Sequence, residues 1–167
     1  MIKKDFVNPN VGHEEASMAL TIATISDVLE YEPNIQEYGI FDWDDALEKG
    51  RQDVLRELRI KWWPTQQIGR FDITVIGLNV EMDEEKLQAP QLKRSHVYRT
   101  LAYYVFPRLS KFEPEMDVFQ MRMEFYRGLY REEVDAVIAD GVEYDLDSDG
   151  IITDLERETT YFGRLRR

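Results

Sequence analysis

The sequence predicts a mainly α protein: a helical bundle of about four helices, a short β excursion near residues 68–80, a C-terminal β-hairpin and extended terminal arms. Three observations carry this expectation. Apolar residues recur at helical spacing along long stretches between residues 43 and 140. Proline, glycine and capping residues punctuate those stretches where helices should start and stop. β-Branched residues concentrate in one short run, Arg70-Phe71-Asp72-Ile73-Thr74-Val75-Ile76, bounded by Gly69 and Gly77. The expected organisation is an N-terminal arm (1–23), a helical core (24–140, with an excursion at 65–83), and an acidic hairpin with a basic tail (141–167).

The arm has no sustained period, and Asn8-Pro9-Asn10 and Gly12 break any helix in it. A first short helix is expected at about 25–32, capped by Thr24 or Ser26, favoured by Asp27 at its positive end and stopped by Pro33. Asp42 should cap a stronger helix over about 43–61. Its stripe is Trp43, Leu47, Gly50, Val54, Leu58 and Trp62, and Trp62-Trp63-Pro64 ends it. A third helix is expected from 84 or 91 to 111, with Tyr98, Leu101, Ala102, Val105, Leu109 and Phe112 on one face. Pro107 should kink it or end it early. The longest helix is expected over about 114–140, with Pro114 in its first turn and Asp140-Gly141 as its end. Its stripe is Met116, Phe119, Met123, Tyr126, Tyr130, Val134 and Val137. Val142-Glu143-Tyr144 and Gly150-Ile151-Ile152-Thr153 flank an Asp/Gly turn, which suits a hairpin.

Composition narrows the function. The 167 residues include 33 acids and 21 bases, a formal net charge of −12, and no cysteine. Such a chain lacks the basic surface that phosphates require and has no reason to adsorb to anionic membranes. Disulfides, thiol nucleophiles and cysteine-based zinc sites are excluded. The start, MIKKDFVNPN, has no apolar run after its lysines, so a signal peptide is not expected. ASMALTIATI at 16–25 is about half the length that spans a bilayer.

One motif carries a chemical mechanism. Residues 145–156, DLDSDGIITDLE, fit the twelve-residue EF-hand loop. Asp145, Asp147 and Asp149 take positions 1, 3 and 5, and Gly150 takes the sixth. Ile151 supplies a carbonyl at the seventh, and Glu156 is the bidentate ligand at the twelfth. Calcium prefers hard oxygens, so Ca²⁺ is the one cofactor these residues point to. The context is unlike a paired EF-hand, because Gly141 and Val142-Glu143-Tyr144 interrupt any entering helix. The same Asp and Gly residues also suit an acidic turn in which they serve backbone geometry.

Catalytic candidates are few, and no enzyme is expected. Ser95 and His96 are neighbours on a helix and point different ways, so they cannot pair as nucleophile and base. His96 reads as a helix-surface or interface residue. Asp42, Asp44 and Asp45 are explained by helix capping. Phe125 and Leu129 lie off the main stripe of the longest helix. They fit either a thick core or a subunit interface.

The stretch ISDVLEYEPNIQEYGIFDWDDALEKGRQDVLRELRIKWWP resembles the N-terminal helices of tailed-bacteriophage head–tail connector proteins of the adaptor class. The matching positions are Ser26, Asp27 and Val28, then Ala46, Leu47, Asp53, Val54, Leu55, Arg56 and Leu58. The later helical pair, LKRSHVYRTLAYYVF and MDVFQMRMEFYRGLYREEVD, is similar to the family's core. The resemblance implies a structural virion protein, made in the host cytoplasm and placed in the neck. It implies a homo-oligomer, a dodecameric ring, with the portal protein above and a stopper or tail-terminator protein below. DNA would pass through its channel without specific binding. Alternatives are a calcium-binding interaction protein, or another neck component such as a stopper or tail-completion protein. The family's C-terminal segment reaches into the portal. In this chain the corresponding residues are Tyr161, Phe162, Arg164, Leu165, Arg166 and Arg167. Residues 141–156 hold six acids and no base, whereas 157–167 hold four arginines and one glutamate. An acidic body suits a conduit that must not hold phosphates, and a basic, aromatic end suits a grip on an acidic partner.

Overall fold

The structure is a computed structural model that describes residues 20–40, 42–64, 81–111, 115 and 117–157. Helices are Ile25–Tyr31 (α1), Trp43–Lys61 (α2), Ala89–Thr100 (α3), Phe106–Leu109 (α4), Val118–Asp140 (α5) and Asp154–Arg157 (α6). Short 3₁₀ turns lie at Ile35–Tyr38 and Glu84–Lys86. The fold is mainly helical, as expected, and the described residues contain no strand. The β excursion near 68–80 and the arm before residue 20 lie outside the described residues.

Local chemistry sets the helix ends. Asp27 accepts hydrogen bonds from the Thr24 backbone N–H at 2.7 Å and the Thr24 hydroxyl at 2.9 Å, and Lys93 reaches its other oxygen at 2.6 Å. The Lys93 ammonium holds the Asp27 carboxyl below its ordinary pKa, and the two bonds from Thr24 reinforce that. Asp42 caps α2 by accepting from the Asp45 N–H. α5 starts at Val118, later than the expected 114. Asp117 forms a reciprocal cap with Gln120, at 2.7 and 3.1 Å, and so fixes the start there.

α3 occupies the centre, with α2 on one side and α5 on another. The α2 stripe is buried from Gly50 through Val54, Leu58 and Trp62. One core joins Val28, Val54, Leu101, Phe106, Tyr126 and Tyr130, among others. A second joins Leu58, Trp62, Trp63, Leu92, Val137 and Tyr144. Pro107 neither ends the helical path nor stands alone as a kink. Its missing N–H and its ring conflict with the carbonyl four residues back. Leu101–Val105 widens into a π-helical turn just ahead of it, and the Phe106 N–H bonds to the Leu101 carbonyl.

The expected C-terminal hairpin is replaced by a different pairing. Tyr144 makes an antiparallel bridge with Leu87, and Asp145 N–H donates to the Lys86 carbonyl at 2.9 Å. Gly141, at φ +93°, turns the chain out of α5, and a side chain there would strike the Arg157 backbone. Residues 154–157 are helical. Ile22 and Ala23, assigned to the arm by sequence, are buried in the two cores.

Candidate functional site

The acidic loop begins where the second core ends. Tyr144 packs against both Trp62 and Trp63, with ring centroids 5.6 and 5.2 Å away, and this anchors Asp145 directly behind it. Asp145 is buried. Its carboxylate accepts from Asp149 N–H at 3.2 Å and from Gly150 N–H at 2.9 Å. Gly150 has φ +82°, the left-handed region that favours glycine. Asp149 accepts from Ile151 N–H at 2.7 Å. These bonds fold the loop so that one oxygen each of Asp145, Asp147 and Asp149 lies within 4.8 Å of the others. Three hard anionic oxygens at that spacing are chemically suited to a calcium ion.

Glu156 stands apart from this group. Its carboxylate accepts from Leu146 N–H at 2.9 Å and from the N–H and hydroxyl of Thr153 at 2.8 and 2.9 Å. The bond from the Thr153 backbone, with that from Leu146, holds the Glu156 pKa below its ordinary value. In this arrangement Glu156 caps α6 and closes the loop. Three of the four sequence-predicted ligands therefore meet, and the fourth would have to rotate to join them.

A polar network that sequence spacing did not indicate crosses α2, α3 and α5. Asp53 accepts from Arg99 Nε at 2.8 Å and from the Tyr104 hydroxyl. The Arg99 guanidinium lies 3.7 Å from the centroid of the Tyr103 ring. Tyr130 donates to Glu57, which Lys61 also reaches at 2.8 Å. Burial and the Asp53 carboxylate push the Tyr104 hydroxyl up to about 12. Burial and Glu57 raise Tyr130 as well. Each charge here has a partner, so the network works as a clamp between helices. Its bonds between helices join residues 46 to 73 positions apart, which is why no local pattern indicates them.

α5 also presents an apolar row to solvent. Val118, Met121 and Phe125 are 55, 52 and 61% exposed, at spacings of three and four residues. Of the two off-stripe residues noted in the sequence, Leu129 packs on the first core, whereas Phe125 meets it only edge-to-face at Tyr126 and is otherwise exposed. Residues that resemble the connector pattern serve mainly to build the fold. Asp27 caps α1, Asp53 joins the clamp, and Val28, Ala46, Val54, Leu55 and Leu58 are buried. Arg56 is exposed and has no hydrogen bond or ion pair among the described residues. The residues expected to hold a portal, Tyr161, Phe162, Arg164, Leu165, Arg166 and Arg167, lie outside the described residues. No described helix is long and apolar enough to cross a membrane. No family model matches the chain, and neither does any curated protein or solved structure.

Proposed function

We propose that this chain is a structural protein of the tailed-phage neck: a head–tail connector of the adaptor class that forms a ring between the portal and the lower neck and encloses the DNA channel. The observation that carries the reading is the exposed row Val118, Met121 and Phe125, in a chain whose helix pattern resembles that class. An uncovered apolar row on a long helix favours a protein partner, because burying it removes apolar surface from water. The net charge of −12 agrees with a channel that lets DNA slide. The basic, aromatic end supplies the grip on the portal. Phe162→Ala combined with deletion of Arg164–Arg167 is expected to abolish co-sedimentation with portal while leaving the helical circular dichroism unchanged. A truncated protein that bound portal with unchanged affinity would contradict the docking role.

A second reading, a calcium-binding interaction protein, is favoured by one observation: the convergence of the Asp145, Asp147 and Asp149 oxygens. It predicts Ca²⁺ uptake at or below about millimolar concentration, within the span of EF-hand affinities. Asp145→Ala should remove it, and so should Glu156→Gln if Glu156 rotates in as the bidentate ligand. Flat calorimetry at millimolar calcium sinks this reading and leaves an acidic turn closed by its own backbone bonds.

A further inference from the structure

His96 lies inside the molecule, contrary to its sequence reading as a helix-surface or interface residue. It is 2% exposed, at the crossing of α2 and α3. Its Nε2 is 2.6 Å from the Leu47 carbonyl of α2, so Nε2 carries the proton and donates. Nδ1 is buried and has no hydrogen-bond partner among the described residues. The ring fits because position 50 is glycine: a Cβ there would sit 3.1 Å from Cδ2 and 3.3 Å from Nε2. The hydroxyls of Ser95 and Thr100, on the same helix, are also buried without partners. The ring borders a groove of about 450 Å³ that is also lined by Trp43, Leu47, Glu48 and Arg51, which gives protons a route to it.

We propose that the α2–α3 crossing is an acid-sensitive latch, with His96 as its trigger. A proton added at Nδ1 would create a buried cation with a buried donor that nothing accepts. That penalty is relieved when the two helices part and water enters. The charged groups acting on the ring do not offset it. Arg51 of α2 repels the cation, Glu48 of α2 is already bonded by Arg51 at 2.8 Å, and Asp27 of α1 is bonded by Lys93 at 2.6 Å. Asp44 of α2 lines the same groove. Burial dominates and lowers the His96 pKa.

The sign follows from linkage. The unfolded chain takes up the proton near pH 6.5 and the folded chain only at lower pH. The latch is therefore fully closed above about pH 6.5 and weakens as pH falls towards the folded-state pKa. The test is urea unfolding of the full chain between pH 7.5 and 5, for wild type and His96→Gln. Glutamine can still donate to the Leu47 carbonyl and does not titrate. The wild-type midpoint should fall between pH 6.5 and 5.5, and the variant's should hold level there. Equal slopes in both proteins overturn the proposal. Should His96→Gln fail to fold, histidine NMR on His13→Gln, which leaves His96 as the only histidine, decides. Titration of His96 below pH 6.5 supports the latch, and titration at or above 6.5 overturns it.

Discussion

Trp62→Ala is expected to destabilise the protein by about 3–5 kcal/mol, the cost typical of emptying a large aromatic site in a core. Trp62 is 1% exposed and among the largest fully buried side chains. It belongs to a core that joins segments far apart in sequence: Leu55 and Leu58 of α2, Met82 and Leu87, Leu92 of α3, Val137 of α5, and Val142 and Tyr144, the last in ring contact with it. Little near it can collapse into the space, because Trp63 and Tyr144 are already packed against each other at 5.2 Å. A single domain is stable by about 5–15 kcal/mol, so this loss consumes a large share. The Leu87–Tyr144 bridge and the loop behind it should loosen with it. Chemical unfolding of wild type and variant measures the difference. A loss below about 1 kcal/mol would show that the second core does not hold α2, α3 and α5 together.

Gly50→Ala is expected to cost about 1–3 kcal/mol through overpacking, offset by up to about 1 kcal/mol of gained helix propensity. The added Cβ would lie 2.2 Å from Thr100 Oγ1, and Thr100 is fully buried, so either its side chain rotates or the helices separate. Thr100→Ala removes the obstructing atom together with a buried hydroxyl that has no partner. The double variant should therefore recover most of the loss, with a coupling on the order of 1 kcal/mol between the two sites. Simple additivity in unfolding experiments would mean that α2 and α3 do not meet at Gly50 and Thr100.

The contrast between these two sites shows what sequence could reveal. The α2 stripe follows from spacing alone, and each of its later members, Gly50, Val54, Leu58 and Trp62, is buried. That glycine is required at position 50 depends on Thr100 and His96 of another helix. The burial of His96 escapes local pattern for a related reason. A single stripe on α3 implies one covered face, whereas α2 and α5 cover it from two sides, burying Leu92, Ser95, His96, Val97, Tyr98 and Thr100. Asp and Gly turn signals suggest a hairpin, but the residue that pairs with Tyr144 is Leu87, 57 positions earlier. The carboxylate cluster was legible because Asp145, Asp147 and Asp149 are close in sequence. The capping duty of Glu156 was not, because the twelve-residue pattern specifies only its position.

The central claim is assembly. Native mass measurement of the purified full chain, alone and mixed with a tailed-phage portal protein, tests that claim directly. A connector predicts a discrete ring complex on the portal, with the chain in multiple copies. A strictly monomeric chain that leaves the portal mass unchanged at micromolar concentrations would contradict the account.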